Sequence, residues 1–199
     1  MYIPDAFEMP AEDAAAMLAA GPLATLVTAG PEGPEATPLP LLFDPTDGPK
    51  GALLGHFARA NPHWKTAAGP NGLALIHGAE TYVTPSWYAA KAEHGKVVPT
   101  WNYELVQVRG GVETFDDPER LLALVTRLTE LHEGPRDAPW AVSDAPARFI
   151  AAQLRGIVGM RLGIESIRAK RKMSQNKPAA DLEGVRAGLA AEGKGWMPV

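Results

Sequence analysis

The 199-residue sequence contains no cysteine, which excludes disulfides, thiol nucleophiles and cysteine-ligated metals. That composition suits a reducing compartment. The chain also has no apolar run of 18 residues, and its start, MYIPDAFEMP, lacks the basic and apolar regions of a signal peptide. We therefore expect a soluble, cytoplasmic protein without a membrane partner.

Common catalytic motifs are missing as well. There is no HExxH, no G-x-S-x-G elbow and no G-x-G-x-x-G after a strand, which disfavours the usual metalloprotease, hydrolase and Rossmann enzymes. The five histidines never lie three or four residues apart, so we predict no metal site. No general base or nucleophile is identified, and whether the chain is an enzyme stays open.

The 19 prolines and 20 glycines favour many turns and short strands. Hydrophobic periodicity predicts strands at 23–28, 36–44, 51–58, 72–78 and 157–167, and two strands within 100–115 joined at Gly110-Gly111. It predicts helices at 10–20, 118–133, 145–156 and 181–193, the third burying Phe149, Ile150 and Leu154. About six short sequential strands with appended helices indicate an antiparallel barrel or a strongly curled sheet.

No linker, internal repeat or low-complexity tract divides the sequence. We therefore expect one domain over residues 1–199, with a basic C-terminal segment and helix, about 155–195, belonging to it. The net charge of −4 hides a local excess of positive charge in that segment. Between residues 155 and 177, seven basic side chains face the single Glu165: Arg155, Arg161, Arg168, Lys170, Arg171, Lys172 and Lys177. Such a run is typical of a solvated face, but it also suits a phosphate-bearing partner.

Four stretches mix aromatic rings with hydrogen-bonding groups: HFARANPHW (56–64), TYVTPSWY (81–88), VPTWNY (98–103) and AKRKMSQNK (169–177). Taken singly, these tryptophans and tyrosines are more typical of a core than of a site. In a strand over 100–105, however, Trp101 and Tyr103 share one face while Asn102 lies on the other. Such a strand is a candidate wall of a ligand site.

Together with the N-terminal MYIPDAF, these motifs occur in an order that resembles the PaiB-like family of FMN-binding negative transcriptional regulators. The resemblance extends over nearly the whole chain. It implies an α+β, mostly β fold: a six-stranded antiparallel split β-barrel of the FMN-binding type with flanking helices. It also implies a cytoplasmic homodimer with cofactor sites at the subunit interface, and a role in repressing gene expression.

FMN combines a dianionic phosphate, a hydroxylated ribityl chain and a flat ring system, so its site needs cations, polar side chains and ring faces. Alternation along a strand sends Arg171 to the face opposite Lys170 and Lys172, so at most two of these three cations serve one phosphate. The predicted cofactor-binding residues are His56, Arg59, Asn61, Trp87, Tyr88, Thr100, Trp101, Asn102, Lys170, Lys172, Ser174 and Gln175.

Three alternatives remain at this level. A haem-binding or haem-degrading split barrel requires His56 or His77 as an axial ligand. A flavin-dependent oxidoreductase of unknown substrate uses the same residues around FMN. A DNA-binding regulator without cofactor uses the basic face at 155–177, although the two best helices are separated by a loop containing Pro135 and Pro139 and do not resemble a helix-turn-helix.

Overall fold

A computed structural model describes residues 1–194, and the fold is dominated by antiparallel strands. The seven strands are β1 (Leu23–Gly30), β2 (Gly33–Pro40), β3 (Leu42–Asp44), β4 (Ala52–Ala58), β5 (Gly69–Val83), β6 (Thr100–Phe115) and β7 (Ile157–Lys172). The five α-helices within residues 1–194 are α1 (Ala11–Ala19), α2 (Ala90–Glu93), α3 (Pro118–Glu133), α4 (Ala147–Leu154) and α5 (Ala179–Ala191).

The strands form one sheet in the order β2-β1-β5-β6-β7-β4-β3. This confirms the predicted class, a mostly β antiparallel fold with flanking helices. Seven strands are present in the described residues rather than six. The predicted strand at 36–44 is interrupted at Leu41, so that β2 pairs with β1 while β3 pairs with β4.

The predicted hairpin at Gly110-Gly111 was wrong, because β6 runs through both glycines without a turn. A side chain at Gly110 would place its Cβ 1.8 Å from the carbonyl oxygen of Gly163 in β7. Glycine is therefore needed at this position for the close approach of two strands. The sequence pattern alone does not distinguish that requirement from a turn.

The β1–β2 hairpin was predicted correctly, and β2 lies at the end of the strand order. Pro38 and Pro40 both lie in β2, opposite Thr25 and Leu23. A proline has no N–H for a further neighbouring strand, so an edge is where a sheet tolerates it.

Local signals fix the start of the long helix α3. The Asp117 side chain accepts a 2.8 Å hydrogen bond from the Arg120 N–H, and Pro118 occupies the first helical position. The helix buries Leu121, Leu124 and Leu128, which lie on one face. No helix among residues 1–194 is long and apolar enough to cross a lipid bilayer.

Helix α4 was predicted correctly in position but not in its buried face. Leu154 is buried and Ile150 is partly buried, whereas Phe149 is 53% exposed. Neighbouring helix residues lie about 100° apart around the axis, so Phe149 lies off the face that Ile150 and Leu154 share.

The residues group into two compact units. Within the described residues, the first unit contains Met1–Ala11, His77–Val106 and residues 169–194; the second contains Glu12–Ile76 and Gln107–Arg168. A core of Val83, Tyr88, Val185 and Leu189 stabilises the first unit. The largest fully buried side chains of the second include Leu26, Leu53, Phe57, Ile76, Met160 and Leu162. One domain over 1–199 stays a prediction, and residue 195, the end of the predicted basic segment, lies outside the described residues.

Candidate functional site

Nine of the twelve predicted site residues belong to the first unit, where β7 ends in a group of lysines. Lys172 donates a hydrogen bond of 2.9 Å from Nζ to the Trp101 carbonyl oxygen and a second one to the Thr100 hydroxyl. Lys170 donates from Nζ to the Tyr2 carbonyl oxygen at 3.3 Å. The N-terminal segment reaches this strand through a bridge between Glu8 and Lys170 and through the Met9 N–H, which donates to the Ala169 carbonyl oxygen.

Aromatic rings surround these ammonium groups. The Lys170 Nζ lies 5.3 Å from the ring centroid of Tyr103 and 5.9 Å from that of Phe7. Lys177, just after the strand, holds its Nζ 4.5 Å from the ring centroid of Tyr88. Such cation–π contacts favour a positive charge but do not neutralise it.

Lys170, Lys172 and Lys177, here called the lysine cluster, form no ion pair with a carboxylate in the described residues. Burial lowers the pKa of Lys172, and the charges of Lys170 and Lys177 lower it further against an opposing effect of Tyr103. Three neighbouring ammonium groups without a counter-charge raise the free energy of the protein unless an anion binds. The lysine cluster is therefore suited to a phosphate.

The turn after β7 fixes the positions of Lys172 and Lys177. Ser174, with a φ of 63°, is the only non-glycine residue within 1–194 in the left-handed region. Its hydroxyl donates to Oδ1 of Asn102 at 2.9 Å, and both side chains are buried. Gln175 accepts from the Met173 N–H and donates to the Arg171 carbonyl oxygen, each at 2.6 Å. Three of the predicted polar ligands thus bond to the protein itself and stabilise the turn between Lys172 and Lys177.

Arg171 lies on the opposite side of β7 from Lys170, as the alternation predicts. Its Nε donates to Oε1 of Glu104 at 2.6 Å, and Glu104 is only 8% exposed. Lys170 instead approaches the Tyr103 ring. The two faces of this strand therefore differ: one carries a compensated pair and the other carries uncompensated charge.

The three predicted aromatic residues differ in exposure, because Trp101 is exposed, Trp87 is partly buried and Tyr88 is buried. Trp101 is 53% exposed and meets Tyr82 edge to face, with ring centroids 6.1 Å apart. By contrast, Tyr88 is 3% exposed within the core of the first unit. Trp87 packs so tightly on α5 that a Cβ at Gly188 would lie 2.3 Å from its ring. Trp101 is thus the accessible ring, while Trp87 and Tyr88 also build the core.

The remaining predicted residues belong to the second unit, where Arg59 and Asn61 have protein partners. Arg59 donates from Nε to the Arg155 carbonyl oxygen at 2.8 Å and from Nη2 to that of Ile157 at 2.9 Å. Asn61 caps a short 3₁₀ turn by accepting from the His63 N–H, and donates to the Thr37 hydroxyl. Both residues therefore hold loops of the second unit in place.

His56, on β4, differs from these two residues. Its Nδ1 is buried without a hydrogen-bond partner in the described residues, and burial lowers its pKa. The imidazole is therefore neutral at physiological pH. Together with Pro40, Leu128 and Trp140, it lines a cavity of about 300 Å³. In residues 1–194, no group of three or more His, Asp or Glu side chains is arranged to hold a metal ion.

Sequence reasoning missed three participants in the lysine cluster's surroundings: Tyr2, Phe7 and Lys177. Tyr2 and Phe7 lie in the MYIPDAF motif, which signalled the family but suggested no contact. Lys177 was visible only as one of several basic residues. Its position depends on the left-handed turn at Ser174, which the sequence does not reveal because serine rarely adopts that conformation.

A family described as "Putative FMN-binding domain" matches residues 1–166. A relative from Bacillus subtilis, "Protease synthase and sporulation protein PAI 2", is 34% identical over 187 residues, covering 93% of this chain and 87% of the relative. The chain therefore belongs to this FMN-binding-domain family, which confirms the resemblance seen in its motifs.

Solved structures of distant relatives share the fold. The conserved hypothetical protein Rv2991 from Mycobacterium tuberculosis has a TM-score of 0.62 at 16% identity, covering 89% of this chain and 94% of that one. The FAD and heme binding protein from Mycobacterium smegmatis has a TM-score of 0.61 at 16% identity, covering 92% and 80%. At such low identity the likeness concerns the fold alone, and it agrees with the split-barrel class.

Proposed function

We propose that the protein binds FMN and acts as a flavin-linked negative regulator of transcription, as a cytoplasmic homodimer with its sites at the subunit interface. The family match over residues 1–166 supports the flavin. The observation that carries the proposal is the lysine cluster, which has three ammonium groups and no carboxylate partner in the described residues. The FMN phosphate supplies the charge that this cluster lacks.

The chemistry of the first unit suits the separate parts of FMN. Lys170 and Lys172 would hold the phosphate, each charge-assisted hydrogen bond contributing about 1.5–3 kcal/mol. The Thr100 hydroxyl lies beside Lys172 as a ribityl or phosphate donor. The exposed face of Trp101 is available for the flat ring, at about 0.5–1.5 kcal/mol beyond burial. When bound, FMN supplies one- and two-electron redox chemistry.

The other predicted ligands enter the proposal through supporting roles. Asn102, Ser174 and Gln175 hold the turn that presents Lys172 and Lys177. Trp87 and Tyr88 pack in the core of the first unit, and Tyr88 contacts Lys177 from there. Contacts from His56, Arg59 and Asn61 stay predictions, and Arg59 must exchange carbonyl partners to meet a phosphate.

Visible absorption spectra of the purified protein, with and without added FMN, test flavin binding. We expect a yellow protein with one FMN per chain, and a higher melting temperature when FMN is added. A Soret band after addition of haem, lost in His56→Ala or His77→Ala, would instead support the haem alternative. A colourless protein that FMN does not stabilise would contradict the proposal.

A comparison of FMN with riboflavin tests the lysine cluster, because riboflavin lacks only the phosphate. We expect Lys170→Ala and Lys172→Ala each to weaken FMN binding roughly ten- to hundredfold while leaving riboflavin affinity nearly unchanged. Lys96→Ala is the matched control, since Lys96 is an exposed lysine of the same unit. Equal losses for the two flavins would mean that the lysines do not contact the phosphate.

The regulatory part of the proposal rests on the family resemblance, and it is tested separately. Light scattering checks the dimer. Fluorescence anisotropy with duplex DNA, with and without FMN and over a range of salt concentrations, checks direct binding. If binding neutralises about six phosphates, the logarithm of the binding constant falls with the logarithm of the salt concentration, with a slope of about −0.9 for each phosphate contact. If the anisotropy does not change as protein is added, with or without FMN, direct binding to DNA is excluded. Repression would then have to act through another protein.

A further inference from the structure

The cavity beside His56 lies entirely within the second unit. It has a volume of about 300 Å³ and is lined by β4, helix α3 and the loop after that helix. Its walls are mostly apolar, with Pro40, Val125 and Leu128 among them. Ligand sites in proteins range from roughly 300 to 1,000 Å³, so this cavity lies at the small end. Its size suits one or two fused rings rather than a whole flavin nucleotide.

His56 supplies one polar group of this cavity, whose other polar lining residues are Thr129, His132 and Glu133. Its Nδ1 is shut off from solvent and has no partner in the described residues, so a ligand that reaches the ring must meet Nε2. A neutral imidazole carries one N–H, and a buried N–H without an acceptor is rarer in proteins than a buried acceptor without a donor. The favoured tautomer therefore has its proton on Nε2. The ring is then a hydrogen-bond donor toward the cavity.

Trp140 supplies a large ring at the edge of the same cavity. It is 46% exposed although its backbone is held in place, since its N–H donates to Oε2 of Glu133 at 3.2 Å. The next residue is fixed too, because the Ala141 N–H donates to Oδ2 of Asp144 at 2.9 Å. Exposure of the apolar Trp140 ring to water is unfavourable. A planar ligand that covers this ring would bury apolar surface and be stabilised by doing so.

We propose that this cavity is a binding site for a small planar aromatic molecule of one or two rings with a carbonyl or similar acceptor oxygen at its edge. The acceptor receives the hydrogen bond from His56, and the ring system packs between Trp140 and the apolar wall. The proposal assigns His56 to this ligand instead of FMN, and the site lies within the second unit, whereas the lysine cluster belongs to the first. The site takes a ligand other than the flavin and does not depend on whether FMN binds.

Coumarin and naphthalene are suitable probes, because both have two fused six-membered rings but only coumarin carries a carbonyl oxygen. The full-length protein is titrated with each probe by NMR, with and without FMN. The readout of affinity is the line broadening of the probe's own proton signals, which serves variants with and without Trp140. The indole N–H signal of Trp140, identified by its absence in Trp140→Phe, shows where the probe binds. We expect saturable binding of both probes, with coumarin binding more tightly, and the same affinities when FMN is present.

Two variants separate the contributions. Because His56→Leu removes the donor and puts an apolar side chain of similar size in its place, it should weaken coumarin binding about two- to tenfold and leave naphthalene unchanged. Trp140→Ala should weaken both probes by a similar factor. Thr126→Ala is the control, since Thr126 lines a neighbouring cavity on the same helix but not this one. Thermal unfolding checks that each variant is folded.

Several outcomes would overturn the proposal. These are no saturable binding of coumarin, equal effects of His56→Leu on the two probes, or affinities that Trp140→Ala leaves unchanged. Competition between FMN and coumarin would also overturn it, because His56 would then belong to the flavin site. Failure of FMN to bind, with coumarin still bound, would count only against the proposed function.

Discussion

The two compact units treat positive charge in different ways. In the second unit, Arg161 makes two hydrogen bonds to the Asp47 carboxylate, at 2.8 and 2.7 Å, and Arg127 donates to Asp44 at 2.8 Å. In the first unit, Arg171 is paired with Glu104, but the three lysines nearby have no carboxylate in the described residues. Paired charges hold strands and loops together, whereas unpaired charges at one place favour an external anion. The basic run at residues 155–177 therefore contains two kinds of residue: arginines such as Arg161 and Arg171 that are paired with carboxylates, and the lysines of the lysine cluster that are not.

The largest expected effect comes from breaking a saturated network in the second unit. His63 is 2% exposed and bonds through its two ring nitrogens to the hydroxyls of Thr28 and Thr37, each at 2.8 Å. We expect His63→Leu to lower the free energy of unfolding by about 2–4 kcal/mol, because it leaves the buried Thr28 hydroxyl without a partner and removes one of the two hydrogen bonds of the Thr37 hydroxyl.

Urea unfolding measures this loss. Lys65→Ala, in the same 3₁₀ turn but exposed, is the control and should cost less than about 0.5 kcal/mol. A His63→Leu variant as stable as the control would show that the two hydrogen bonds contribute little. The statement that paired polar groups stabilise the second unit would then be wrong for His63.

An intermediate effect is expected from comparing the paired and unpaired cations of the first unit. Glu104→Gln removes the charge opposite Arg171 in a buried setting and should cost about 1–3 kcal/mol. Lys172→Met should cost less than about 1 kcal/mol in the absence of anions, because the lost hydrogen bonds are offset by removal of a partly buried charge that lies near two others. Urea unfolding in phosphate-free buffer measures both. A larger loss for Lys172→Met than for Glu104→Gln would reverse the comparison.

The smallest effect concerns acid sensitivity in the second unit. Hydrogen bonds from the Thr46 side chain and backbone, followed by Arg127, lower the pKa of Asp44 from 3.8 to about 2. Since the folded-state pKa is the lower one, this stabilisation is complete above about pH 4 and is lost as the pH falls toward 2. We expect Asp44→Asn to be less stable than wild type above pH 4 by under about 1 kcal/mol, and the difference to vanish near pH 2. Thermal unfolding across that range checks it; a constant difference would exclude titration of Asp44 as the cause.

Local signals were read correctly where one residue type fits one backbone role. The Asp117 cap and the proline after it predicted the start of α3, and the edge prolines predicted the place of β2. Glycine was ambiguous for the opposite reason. Gly110 allows both a turn and a close approach between strands, and the approach to Gly163 decides between them only when the sheet is assembled.

The candidate site was only partly visible in the sequence. The motifs identified the family, and strand alternation separated Arg171 from Lys170. The sequence did not show that Ser174 and Asn102 bond to each other, or that Tyr88 is buried in a core. Side chains that suit a cofactor also suit the protein's own turns, and pattern alone does not distinguish the two uses.

By itself the sequence determined the family, the antiparallel strand pattern and the excess of positive charge near the C-terminal end. These depend on local periodicity and composition, which neighbours in the chain fix. Only the tertiary structure decided which cations are neutralised, that Lys177 meets the Tyr88 ring, and that His56 keeps a ring nitrogen buried without a partner in the described residues. Those properties arise from contacts between distant segments, and burial changes the free energy of a charge or a hydrogen bond only after such segments have packed together.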